Sequence, residues 1–212
     1  MSANLYEHML KEANDYMQKI ELEPEHVLQV HALATSLFDQ SKKIHRFSTR
    51  ERKILEAAAL LHDIGWSQSP TGKKHHKISA QMILEHEWHS TNIQDVILIA
   101  QIARYHRKAL PKVKHKAFQS LSPNDQKIVT INAALLRIAD ALDRSHSSLI
   151  SEIFFNLSEE TWTLTAVSST NCANEISAFQ KKSNLFNQYF KTNLKLEFKI
   201  PDHHPYSSRK RA

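Results

Sequence analysis

Apolar residues recur at helical spacing through most of the first 150 residues, and the stretches between polar breaks predict helices near residues 3–20, 24–41, 49–63, 75–88, 92–107 and 124–147. Pro24 suits a first-turn position, Ser48 and Thr49 suit an N-cap, and Ser122-Pro123-Asn124-Asp125 suits the entry to the sixth helix. Two glycines and six prolines in the whole chain leave little room for long irregular loops. After residue 150 the pattern changes. Ile153–Leu157 and Trp162–Val167 carry β-branched and aromatic residues around Ser158-Glu159-Glu160, which predicts two strands and a turn. Residues 174–190 return to helical spacing through Ile176, Phe179, Leu185, Phe186 and Phe190, and Leu194–Ile200 alternates as an edge strand does. The expected fold is mainly α: a helical bundle over residues 1–150, a small β-β-α-β extension over 151–200 packed on it, and a basic, disordered tail over 201–212.

With 212 residues and 41% apolar content the chain can bury a core of its own. Its first twenty residues lack the apolar run of a signal peptide, and no segment is long and apolar enough for a bilayer, so a soluble, cytoplasmic protein is expected and a membrane partner is not. The lone Cys172 excludes an intramolecular disulfide and agrees with a reducing compartment. The formal charge of +6 does not by itself point to nucleic acid, because Arg209, Lys210 and Arg211 in the tail supply half of it. Fourteen histidines change the picture more, since neutral imidazole is a common metal ligand.

Selected histidines and aspartates fall on the apolar stripes of their helices. His26 shares a face with Val30, Leu33 and Leu37. His62 follows Leu55, Ala58 and Ala59, with Asp63 beside it where the helix runs out into Gly65. Asp140 follows Val129, Ala133 and Leu136, His106 follows Ile99 and Ile102, and His75 precedes Ile78 and Met82. Each has a purely structural alternative: a core histidine bonded to a carbonyl, or Asp140 paired with Arg137 or Arg144 at helical neighbour spacing. Together they would ask one core to bury several polar groups, each costing about 1–3 kcal/mol when unsatisfied. A shared metal centre removes that cost.

Imidazole and carboxylate donors without thiolates suit manganese, iron, cobalt, zinc or magnesium, and argue against a structural zinc site. His26, His62, Asp63 and Asp140 are enough for one divalent ion. His75 or His76, together with His106, would complete a second, with Asp63 as the bridge. Two ions favour phosphoryl transfer to water. Lys77, Arg107, Lys108 and Arg144 stand beside these residues and are the candidate phosphate contacts, with Lys73, Lys74 and Arg104 further out. Trp66 and Tyr105 are expected to pack, with stacking on a base or sugar as the alternative.

The ordered set of His26, the pair His62-Asp63 inside AAALLHDIG, and Asp140 inside LLRIADALDR resembles the HD-domain superfamily of metal-dependent phosphohydrolases. The segments HHKISA, RYHRKALP and IADALDRSH are most similar to the carboxy-terminal HD domain of the exopolyphosphatase and guanosine pentaphosphate phosphohydrolase (Ppx/GppA) family. The likeness covers nearly all of the chain, and implies an HD-type helical bundle followed by a small α/β element. This chain has Ile78 where family members often carry a histidine, so both His75 and His76 stand as ligand candidates. Those proteins carry actin-like phosphatase domains ahead of this part; here the HD part is expected to stand alone, and exopolyphosphatase activity does not transfer. A further similarity, in spacing only, is to small HD proteins that cleave dinucleoside polyphosphates. The resemblance implies a hydrolase that attacks a phosphoester or phosphoanhydride, of a nucleotide, through a metal-activated water, with Asp63 assisting proton transfer. The alternative is a non-catalytic module for a phosphorylated ligand, polyphosphate or a separate phosphatase partner; a homodimer stays open and nucleic acid is not expected.

Overall fold

The computed structural model describes residues 2–158 and 161–201, so the expected tail beyond Pro201, with Arg209–Arg211, and Glu159-Glu160 of the predicted turn lie outside the described residues. The helices are α1 (Ser2–Ile20), α2 (Pro24–Gln40), α3 (Lys42–His45), α4 (Thr49–Leu61), α5 (His75–Glu85), α6 (Ile93–Tyr105), α7 (Lys116–Gln119), α8 (Pro123–Leu142), α9 (Ala173–Lys182) and α10 (Asn184–Phe190). The strands are β1 (Glu152–Leu157), β2 (Trp162–Val167) and β3 (Lys195–Lys199). No helix among the described residues is long and apolar enough to cross a membrane.

The helices start where local chemistry favours it. Pro24 occupies the first turn of α2, and Ser48 and Glu51 form a reciprocal capping box on α4. Ser122 accepts from the Asp125 amide at the start of α8, and Asn92 does the same for Asp95 at α6. The second half of α4, from Ile54 to Leu61, is entirely buried, as is every residue of α8 from Ile131 to Leu142. Helix α8 packs against α2, α4, α6, α9 and α10, and so forms the axis of the molecule.

Several boundaries differ from the sequence pattern. The sixth predicted helix stops at Leu142 rather than near 147, because the Asp143 side chain leaves the helix to accept from the Ser148 amide at 2.8 Å. The following loop then places His146 and Ser148 at positive φ. The fourth helix ends at Leu61, and a short 3₁₀ turn over Ile64–Gln68 follows. Gly65 is required there: a Cβ would lie 2.3 Å from the His75 carbonyl oxygen and 2.5 Å from the Ser79 amide, so only glycine lets this turn meet α5. The predicted helix over 174–190 is two helices broken at Ser183, which buries Phe179 from one and Leu185 and Phe186 from the other.

The three strands form one sheet in the order β1-β2-β3. β1 runs antiparallel to β2, with Phe155 opposite Leu164, and β3 runs parallel to β2, with Leu196 opposite Leu164. Parallel pairing needs a crossover, and α9 with α10 supplies it. The outer side of β1 is met by α2: Gln40 accepts from the Phe155 amide at 2.7 Å and donates to the Ile153 carbonyl at 2.8 Å. β3 is an edge and exposes Lys195, Glu197 and Lys199 as expected, but the alternation holds only in part, since Phe198 and Ile200 are exposed as well. This crossover brings the end of α9 onto α8 beside Asp140.

Candidate metal centre

Six predicted residues converge from five helices or helix ends. His26 lies in the first turn of α2, His62 is the C-cap of α4 with Asp63 next to it, His75 begins α5, His106 is the C-cap of α6, and Asp140 sits in the last turn of α8. All are buried, none more than 7% exposed. They fall into two groups whose donor atoms can surround a metal ion: His26, His62 and Asp140, and Asp63, His75 and His106.

Hydrogen bonds on the far side of each ring decide which nitrogen faces inward. The Nδ1 atoms of His62, His75 and His106 lie 2.8, 2.9 and 2.7 Å from the carbonyl oxygens of Ala59, Gly72 and Ala103. His26 Nδ1 lies 2.8 Å from Asp143 Oδ2. A carbonyl or carboxylate can only accept, so each Nδ1 carries the proton and each Nε2 presents a lone pair to the centre. There the Nε2 atoms of His26 and His62 and the Oδ1 of Asp63 are buried without a hydrogen-bond partner.

In the second group His75 Nε2 is 3.1 Å and His106 Nε2 3.4 Å from Asp63 Oδ1, and the two nitrogens are 3.3 Å apart. An ion held at about 2.0–2.2 Å separates neighbouring ligand atoms by roughly 3.0–3.5 Å. The triangle has the edges of a coordination shell. The first group is looser, with His26 Nε2 at 3.9 Å from Asp140 Oδ1. Asp63 Oδ2 stands between the groups, 3.5 Å from His62 Nε2 and 3.8 Å from His26 Nε2. The donor set therefore fits one or two divalent cations: three electron-rich atoms in van der Waals contact are repulsive unless a proton or a cation lies among them.

Electrostatics agree with that reading. Burial would raise the Asp63 carboxyl, and it is positive charge on the His62, His106 and His75 rings, with a hydrogen bond from His75, that holds it well below the usual carboxylate range; with those rings neutral, a bound cation has to take that part. Burial acts the same way on Asp140, and the ammonium of Lys182 overrides it. Burial drives His106 well down, and it keeps His76 neutral to about 4 with the positive charges of Arg107 and Lys108 adding to the effect.

A cavity of about 550 Å³ opens over the second group and is lined by Arg107, Lys108, Arg144, Lys181, Lys182 and Trp66, among others. Arg107 Nη1 lies 3.1 Å from both ring nitrogens of His75, Lys108 donates to the Lys73 carbonyl at 2.8 Å, and Arg144 is exposed at the rim. Lys77 is exposed and lies outside this lining. Of the histidine pair, His75 belongs to a donor group and His76 to neither; the His76 ring centroid is 6.0 Å from that of His75. Trp66 stacks on His75 and stays partly open to the cavity, whereas Tyr105 is buried and bonded to His115 at 2.9 Å, a packing role.

Neither Arg137 nor Arg144 is the hydrogen-bonded partner of Asp140. That partner is Lys182, which donates from α9. Arg137 is buried and instead holds the Tyr105 carbonyl at 3.2 Å, the Lys182 carbonyl at 3.3 Å and Asn184 Oδ1 at 3.1 Å. Lys182 and Lys181 carry no sequence signal, because surface lysines are common at helix ends. Asp143 and His146, whose ring stacks on His26 at 3.8 Å, were also absent from the predicted set. Asp143 had a signal, since it follows Asp140 by one helical turn and is fully buried.

The sequence matches the family model of Ppx/GppA phosphatase, domain III, over residues 11–194. No curated protein matches the chain.

Proposed function

Because the chain belongs to the Ppx/GppA phosphatase domain III family, a phosphatase-related module, we propose that it is itself a metal-dependent phosphohydrolase acting on a phosphoester or phosphoanhydride, with a nucleotide as the substrate class. One observation carries this reading: four imidazoles turn unprotonated Nε2 atoms onto two ionised aspartates in a buried cluster beside a cationic cavity. A site that only stapled helices together would need neither the orphaned donors nor the open wall.

In this proposal His26, His62 and Asp140 would hold one divalent ion and Asp63, His75 and His106 would hold another, with Asp63 between the two groups. Such ions supply Lewis acidity and an acidified water for in-line attack on phosphorus. The chain's own groups do the rest. Arg107 and Lys108 on one wall and Arg144 on another bind and orient the phosphate oxygens. Asp63 assists proton transfer through a carboxylate oxygen that a single bound ion would leave free. Trp66 offers a partly exposed ring face for a base.

The test is metal content together with hydrolysis of nucleotides, cyclic dinucleotides and polyphosphate with added Mn²⁺, on the wild type and on Asp63→Asn. The expected result is bound metal and turnover in the wild type and loss of both in the variant. Equal, negligible metal in the two proteins overturns the proposal. Metal without turnover on any phosphorylated compound would instead favour a binding module.

A further inference from the structure

The two donor groups are not equivalent, and the difference lies in a residue from the C-terminal crossover. Asp63 Oδ1 is buried with no hydrogen-bond partner and faces two Nε2 atoms at 3.1 and 3.4 Å, so its group carries one uncompensated negative charge at coordination spacing. Asp140 already has a cation. Lys182 Nζ donates to its Oδ2, which leaves only Oδ1 facing His26, at the longer distance of 3.9 Å. A divalent ion entering the His26, His62 and Asp140 group therefore meets a carboxylate whose charge is cancelled, and an ammonium that repels it.

Lys182 is also placed to give way. Its backbone is anchored, since Arg137 holds its carbonyl at 3.3 Å, while its side chain is 18% exposed and lines the cavity that Lys181 and Arg144 share. The ammonium can leave Asp140 for that cavity without unfolding α9. Resting on the metal reading above, we propose that Lys182 is a built-in occupant of one cation position, so that the centre fills in a fixed order. The first ion takes Asp63, His75 and His106. The second takes His26, His62 and Asp140 only by displacing Lys182, and its arrival turns the lysine toward the anion cavity.

Equilibrium dialysis of the full chain against Mn²⁺ alone tests this, with the wild type, Lys182→Met, Lys182→Gln and the control Lys181→Met. Lys181 lies on the same helix end and donates to Ser177 Oγ at 3.3 Å, with no contact to Asp140. The wild type is expected to bind in two separated steps. Removing the ammonium strengthens the second step by roughly tenfold or more, the value of one charge-assisted hydrogen bond, and leaves the first unchanged. Lys181→Met follows the wild type. Two equal steps in the wild type, or a second step that neither Lys182 variant moves, overturn the inference while leaving the metal reading standing. No Mn²⁺ bound by any of the four proteins overturns both.

Discussion

Asp143→Asn isolates a carboxylate that touches no proposed ligand position except through His26. In the folded chain Asp143 accepts twice: from His26 Nδ1 at 2.8 Å through Oδ2 and from the Ser148 amide at 2.8 Å through Oδ1. Asparagine keeps the shape but has one accepting oxygen and two donors of its own. One of the two N–H groups must lose its acceptor and face an NH₂ instead. If Ser148 loses, the loop that carries His146 against His26 is released, and an unsatisfied buried donor costs about 1–3 kcal/mol of stability. If His26 loses, its proton is free to move to Nε2, which removes the inward lone pair. Even the milder case replaces a negative acceptor by a neutral one and makes the ring a poorer ligand. Loss of such an outer partner typically lowers metal affinity 10- to 100-fold, about 1.4–2.8 kcal/mol. Calorimetric titration with Mn²⁺ reads the affinity, and urea unfolding without metal reads the stability. If the variant binds Mn²⁺ as tightly as the wild type while its stability falls, Asp143 only braces the loop and the tautomer argument is wrong.

Two further predictions follow from packing and charge. Gly65→Ala pushes a Cβ into backbone atoms of His75 and Ser79 at 2.3 and 2.5 Å, which cannot rotate away, so thermal unfolding should show about 1–3 kcal/mol of destabilisation; an unchanged melting temperature refutes the close-approach account. His76, buried and close to the charges of Arg107 and Lys108, stays neutral to about 4 in the fold but takes a proton near 6.5 when unfolded. Between those values the unfolded state binds more protons, so metal-free stability falls as pH drops from about 6.5 towards 4. His76→Asn should flatten that slope in urea unfolding measured at pH 7 and pH 5, and an unaltered slope removes His76 as its cause.

The parts of this molecule that could be read from its sequence are those decided within a helical turn or two. Ser48 with Glu51, Pro24 and Ser122-Pro123 start their helices by local hydrogen bonds and fixed φ, so the pattern located them to within a residue or two. Residues 174–190 misled because Ile176, Phe179, Leu185, Phe186 and Phe190 keep helical spacing across a break that exists only to turn α10 along α8. Helices α3 and α7 are four residues each and leave no periodic trace. At the site the same division holds. A histidine or aspartate on an apolar stripe is visible in one helix, whereas the lysine that meets Asp140 comes from 42 positions later, through a crossover whose parallel register nothing local announces.

The four inward imidazoles show why one of them needs help from afar and three do not. A helix leaves its last carbonyls without intrahelical partners and its first amides likewise. His62 and His106 are C-caps, and each turns Nδ1 back onto a carbonyl three residues earlier, Ala59 and Ala103, where acceptors are in surplus. His75 does the same with Gly72 in the turn before α5. For His62 and His106 the tautomer that aims Nε2 inward is set by the carbonyl end of the helix itself, and for His75, the first residue of α5, by the turn just before it. His26 sits in the first turn of α2, where the surplus is of N–H donors, and the Glu23 carbonyl three residues earlier accepts from the Val27 amide. Its Nδ1 proton can be held only by an acceptor brought from elsewhere, and Asp143, 117 residues along the chain, is that acceptor. The break that ends α8 at Leu142 is thus tied to the site, because Asp143, the first residue past it, bonds both His26 and the Ser148 amide. A ring at a carbonyl end, or just after a turn that offers a carbonyl, finds its acceptor three residues away, whereas His26 takes its acceptor from the far end of the bundle.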